Sequence, residues 1–166
     1  QTVDTSAQPL HSIEVPCALS CPNKFLNRGE SYKVYIDDDG EHKLELGVAE
    51  MIASKLKINP AACFKTIVMR NESKQIFVFC QSANAQINLK KARIASNSKE
   101  ISSVKPEELL ALTGYVRGGC SPIGMKKKFK TFIDSSILEH EDIYISAGVR
   151  GCQLKLKPSD LVKTVD

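Results

Sequence analysis

The stretch from Gly114 to Gly151, GYVRGGCSPIGMKKKFKTFIDSSILEHEDIYISAGVRG, holds six of the chain's nine glycines; only Gly29, Gly40 and Gly47 lie upstream. Glycines let a backbone turn tightly and let its N–H groups approach a ligand with no Cβ in the way. Pro122 sits in the same stretch, and the basic run Lys126-Lys127-Lys128 follows it. A cationic run beside such a loop suits a partner that carries phosphate. Runs of charge also serve as plain solvated surface. Both readings stand for Lys126, Lys127, Lys128 and Lys130, and for Lys90, Lys91 and Arg93 upstream.

Lys65 is the second residue of chemical interest. It lies in the apolar word CFKTIVM, where alternation puts Cys63, Lys65 and Ile67 on one face and Phe64, Thr66 and Val68 on the other. A lysine inside such a strand either snorkels at a sheet edge or points into a site. A conventional catalytic apparatus is harder to find. His11, His42 and His140 all fall outside the glycine stretch's loop and outside the apolar strands, so a Ser–His–Asp or Cys–His triad has no evident assembly point. Cys120 lies within the loop but has no base beside it, which favours a small packing residue over a nucleophile. Glu139, Glu141 and Asp142 read as a solvated turn around His140 rather than as a carboxylate pair.

Those residues must be positioned by the rest of the chain. Its 166 residues, 42% hydrophobic and 25% charged, suit one soluble globular domain with a substantial core. No apolar run reaches the roughly 18 residues needed to span a bilayer, and residues 1–19 lack the features of a signal peptide. A cytoplasmic location with no membrane partner is the expectation. The formal charge of +4 permits an RNA partner without demanding one. Of the six cysteines, at positions 17, 21, 63, 80, 120 and 152, only Cys17 and Cys21 lie close together. No four-ligand zinc set is completed, and neither metal nor cofactor is expected.

Residues 1–21 show no period and read as an N-terminal extension of unknown role; residues 22–166 read as the domain. A short helix is expected after Pro22, a strand over Ser31–Asp37, and an amphipathic helix over Val48–Leu56, stopped at Asn59-Pro60. Cys63–Met69 and Gln75–Cys80 read as a hairpin around the polar Arg70–Lys74. Helices are expected over Ile87–Ala95 and Pro106–Leu112, the latter with Glu107 and Glu108 in its first turn. Strands follow at Thr131–Asp134, Ile143–Ser146 and Gln153–Leu156, then a terminal helix at Ser159–Val162. Strands and helices mix without strict alternation or repeat. The reading is a mixed α/β single domain, a mixed, curved β-sheet surrounded by helices, its strand order open.

The words GYVRGGCSPIG, FIDSS and ISAGVRG, in that order, resemble the YbaK/EbsC group of aminoacyl-tRNA editing domains, which is similar to the insertion domain of bacterial prolyl-tRNA synthetases. The resemblance spans Phe25 to Val162. It implies a hydrolase that cleaves the ester of mischarged tRNA for proline, most of all cysteinyl-tRNA. Alternatives are an alanyl-tRNA deacylase that activates a water, and a tRNA-binding module without catalysis appended to a synthetase. The resemblance implies that Lys65, in its F-K-T word, belongs to the substrate pocket, and that Gly118 and Gly119 face the reacting ester. It further implies that Ser146 and Gly148 form a second wall, and that Tyr35 contributes from an earlier strand. In cysteine-specific members the substrate's own thiol attacks its carbonyl, which makes orientation the main task of the protein. Prolyl-tRNA synthetase is the implied partner besides the tRNA.

Overall fold

The computed structural model describes residues 33–36, 57–150 and 152–165. The extension 1–21, the helix after Pro22 and the helix Val48–Leu56 lie outside the described residues. Of the expected strand Ser31–Asp37, residues Lys33–Ile36 form β1.

The first long pairing is the hairpin of β2 (Phe64–Asn71) and β3 (Ile76–Ser82), in antiparallel register from Phe64 opposite Ser82 to Arg70 opposite Ile76. The turn between them is closed by the Asn71 side chain, whose Oδ1 accepts the N–H groups of Ser73 (3.1 Å) and Gln75 (2.8 Å). After β3 come α1 (Leu89–Ser96), β4 (Ile101–Ser103), α2 (Pro106–Thr113) and β5 (Lys130–Ile133). β4 pairs with β2, and β5 pairs in parallel with β3, giving a mixed sheet of order β4-β2-β3-β5. Parallel pairing needs a long crossover. Here that crossover carries α1, β4, α2 and the glycine loop, and so delivers the loop to one face of the sheet just before β5.

The two faces of this sheet follow from strict alternation along its strands. Met69, Phe77 and Phe79 pack with Ala92 of α1 on one side, and Val68, Val78 and Cys80 pack with Leu109 of α2 on the other. α1 is held at its start by Asn88, whose side chain accepts the Lys91 N–H, and at its end by Asn97 in the left-handed conformation. α2 begins at Pro106 and places Glu107 and Glu108 in its first turn. Glu108 receives both guanidinium branches of Arg70, at 3.2 and 2.8 Å, tying α2 to β2. Arg70 holds the Glu108 carboxyl below its ordinary range.

A second, antiparallel sheet has the order β1-β7-β6, with β6 at Ile143–Ser146 and β7 at Cys152–Leu156. Phe64, Ile143, Ile145, Leu154 and Leu156 form its core with Leu161 from α3 (Pro158–Val165). A parallel bridge between Cys63 and Tyr144 joins β2 to β6, and it links the two sheets into the expected mixed α/β fold. The strand β4 and the 3-10 turns Pro60–Ala62 and Ser135–Glu139 were not expected from the sequence. Three residues of β4 and single turns of helix give too short a pattern to recognise. Asp142, expected in a solvated acidic turn, pairs with Lys155 at 3.1 Å.

Leu161 is fully buried and joins α3 to the second core. Leu161→Ala is expected to lower unfolding free energy by about 2–5 kcal/mol, read from the midpoint of urea denaturation. A midpoint unchanged from wild type would contradict the packing described.

Candidate active site

The glycine loop begins where α2 ends. Gly114 takes φ +86° and donates its N–H to Leu110, stopping the helix in the left-handed manner that glycine allows. Two bonds then close the loop on itself. The Lys126 N–H reaches the Thr113 carbonyl at 3.0 Å, and the buried Tyr115 hydroxyl donates to the Ile123 carbonyl at 2.6 Å. Within that frame, Val116–Gly119 forms a tight turn: the Gly119 N–H donates to the Val116 carbonyl at 3.0 Å, and Gly118 has φ +88°.

The turn is packed against the segment that follows β6. A Cβ on Gly119 would stand 3.2 Å from the backbone of Val149 and Arg150. A Cβ on Gly148 would stand 2.8 Å from Cε1 of Tyr115, and Gly148 itself has φ +99°. Arg150 completes the junction by donating Nε–H to the Arg117 carbonyl at 3.0 Å. Ser146 is half-buried at the end of β6, and its Oγ accepts the Gly148 N–H at 3.2 Å. The structure thus gathers Gly118, Gly119, Ser146 and Gly148, which lie almost thirty residues apart along the chain, into one junction of two loops.

Strand register relates Tyr35 to Ser146, whereas Lys65 stands on the α1 face of the four-stranded sheet, opposite to the face that packs against the glycine loop. Tyr35 is opposite Gln153, and Gln153 is opposite Ser146, so all three occupy one row of the three-stranded sheet. Lys65 lies two residues beyond the Cys63–Tyr144 bridge, and Ser146 two residues beyond it on the parallel partner, which sets the two at the same level where the sheets part. Lys65 leaves β2 on the side of Ile67 and Met69, opposite to Thr66. It is half-buried, and its Nζ donates to the Ala83 carbonyl at 3.0 Å.

Gln153 was missed in the sequence. It is 7% exposed, and its side-chain amide has no hydrogen-bond partner among the described residues. Burying an amide without partners is unfavourable, so such a group at a site wall is suited to bonding a ligand. Its signal was available in the word CQLKL, where a polar residue directly precedes a leucine of the core. No resemblance drew attention to it.

Other candidates fall into different roles. Cys120 packs against the core of Val68, Val78, Cys80 and Leu109, and burial pushes its thiol up to about 12, with the Thr113 hydroxyl pulling weakly the other way. Since only the thiolate is nucleophilic and the thiol stays protonated below that value, Cys120 is a packing residue at neutral pH. Lys126 lies over Gly114 and donates from Nζ to the Leu110 carbonyl at 3.4 Å, at the negative end of α2. Lys127 and Lys128 are exposed, as are Lys90, Lys91 and Arg93 on α1. Lys130 stands 5.2 Å over the ring of Phe132. Among the described residues no cluster of three His, Cys, Asp or Glu side chains is placed to hold a metal ion, and no helix is long and apolar enough to cross a membrane.

Residues 45–164 match the aminoacyl-tRNA editing domain family. The chain belongs to that family. It is 39% identical over 114 residues, 69% of this chain and 70% of the relative, to the "Putative Cys-tRNA(Pro)/Cys-tRNA(Cys) deacylase EbsC" of Enterococcus faecalis. It is 29% identical over 91 residues to the proline–tRNA ligase of Brachyspira hyodysenteriae, covering 55% of this chain and 16% of that enzyme. A solved structure described as "a putative trans-editing enzyme for prolyl tRNA synthetase" has the same fold, with a TM-score of 0.76 at 20% identity over 90% of this chain and 92% of that one.

The contact between Gly148 and Tyr115 leaves no room for a methyl group at a backbone angle that already disfavours one. Gly148→Ala is expected to drive the two loops apart. It should destabilise the protein by about 1–3 kcal/mol in thermal or urea unfolding, with loss of any activity the junction supports. A variant as stable and as active as wild type would contradict this account of the junction.

Proposed function

We propose that this aminoacyl-tRNA deacylase acts on mischarged tRNA for proline, with cysteinyl-tRNA as its main substrate, and that the two-loop junction is where the ester is cleaved. The observation that carries the reading is the close approach of the Val116–Gly119 turn to Val149–Arg150. It is supported by the similarity to a relative named as a deacylase of cysteinyl-tRNA. The Gly118 N–H has no acceptor among the described residues, whereas that of Gly119 is held by Val116. Gly118 is therefore the donor we assign to the developing oxyanion, and Gly119 the residue whose missing side chain lets the loops meet.

An aminoacyl ester is already activated, so orientation can supply much of the barrier reduction without a triad. In the proposed step the substrate's Sγ, giving up its proton, attacks the substrate's own carbonyl carbon. The ester C–O bond then breaks, the ribose oxygen leaves with a proton, and the cyclic thioester is hydrolysed by water. Lys65, anchored at Ala83, would hold the terminal adenosine or its phosphate. Ser146 and Gly148 form the opposite wall, with Tyr35 and Gln153 in the same row as Ser146. A synthetase pocket built for proline cannot strongly reject smaller amino acids, because a methylene or two is worth only about 1–3 kcal/mol. A second, smaller pocket can exclude the prolyl ester by size.

Lys127 and Lys128, with Lys90, Lys91 and Arg93, would meet acceptor-stem phosphates, contacts that carry little sequence information. Selection of tRNA for proline then falls to docking on prolyl-tRNA synthetase, in the cytoplasm. In this reading residues 22–166 are the editing domain.

The test is deacylation of tRNA for proline charged separately with cysteine, alanine and proline. Cysteine should be released fastest and proline retained. Lys65→Ala should lose about a hundredfold or more while remaining folded. Cys120→Ala should turn over like wild type. Preferred release of alanine would replace thiol assistance by an activated water, and release of none would leave a tRNA-binding module.

A further inference from the structure

Most cations near the glycine loop already have a partner within the protein. Arg70 pairs with Glu108, Lys155 with Asp142, Lys126 with the end of α2, and Lys130 with the Phe132 ring. Arg117 and Arg150 differ. Both are exposed at the loop junction, and neither has a carboxylate partner among the described residues. The bond from Arg150 Nε to the Arg117 carbonyl, 3.0 Å, fixes the Arg150 side chain across the Val116–Gly119 turn, and its terminal nitrogens have no partner among the described residues. Two exposed cationic residues thus meet at one turn with no carboxylate partner among the described residues, beside Gly118, whose N–H has no acceptor among them. Such an arrangement suits an anion, because guanidinium forks with a backbone N–H match phosphate geometry.

We propose that Arg117 and Arg150 form a phosphate clamp for the RNA strand entering the site, gripping the phosphodiester that precedes the terminal nucleoside. The proposal rests on the deacylase reading, since the clamp lies at the mouth of the junction assigned to the ester. The flanking Val116 and Val149, 41% and 38% exposed, give apolar surface on which a ribose or base can lie. The clamp would thread the single-stranded 3′ end past the turn, whereas Lys127 and Lys128 follow the loop's closing bond at Lys126 in the chain.

The clamp is tested with Arg117→Gln, since the Arg117 side chain has no partner among the described residues while its carbonyl, which anchors Arg150, is retained. Two substrates are compared: cysteinyl-tRNA for proline, and 3′-cysteinyl-adenosine, which has no phosphate. The variant should raise KM for the tRNA about tenfold with kcat little changed. The dependence of log KM on log salt should become shallower by about 0.7, as expected for one lost contact to a single strand. The nucleoside substrate should show no comparable rise. Equal KM changes for both substrates, or none for the tRNA, in a protein that remains an active deacylase would overturn the clamp alone. A wild-type protein inert on both substrates would overturn the deacylase reading and the clamp with it.

Discussion

The structure depends on one close approach, that of two loops brought within 3.2 Å, backbone to prospective Cβ, at Gly119. Side chains normally keep backbones apart, and here they are missing at the positions where the loops touch. Everything around the junction serves to hold it. Gly114 ends α2 so that the chain can double back, Tyr115 pins the loop to Ile123, and Arg150 bonds across to Arg117. The ladder of β6 and β7 fixes the other loop from below. A backbone N–H presented at such a junction is preorganised, because it does not have to rearrange when charge develops beside it.

The larger architecture follows the same purpose. The parallel pairing of β3 with β5 requires a long crossover, and the glycine loop is the last part of it. The Cys63–Tyr144 bridge joins the two sheets, and Ser146 and Gln153 lie beyond it on the paired strands β6 and β7. Under the proposed function such a junction needs no histidine or acidic base in place, because its task is to hold a reactive ester still.

Much of this was legible in the sequence, for identifiable reasons. The hairpin, α1, α2 and β6 were readable because alternation and helical spacing run unbroken through CFKTIVM, QIFVFC and IYIS, and because Pro106 marks a helix start. The words GYVRGGCSPIG and ISAG named two loops, but nothing in their spacing says that Gly119 lies against Val149; that is a tertiary contact. Short elements such as β4 escaped, since three residues cannot display a period. Gln153 escaped because a lone polar residue in a strand looks like an exposed one until its burial is known. Lys126 illustrates the reverse: within a run of three lysines, only the structure distinguishes the one that caps a helix from the two beside it.

The most direct measurement is an NMR titration of the isotope-labelled protein with a non-hydrolysable cysteinyl-adenosine analogue, in which an amide replaces the ester. The account predicts that the largest amide shifts cluster at residues 116–119, at 146–150 and at Lys65. Shifts confined to the groove of about 260 Å³ beside α1, lined by Phe79, Asn88, Lys91 and Phe132, or to no part of the two loops, would contradict it.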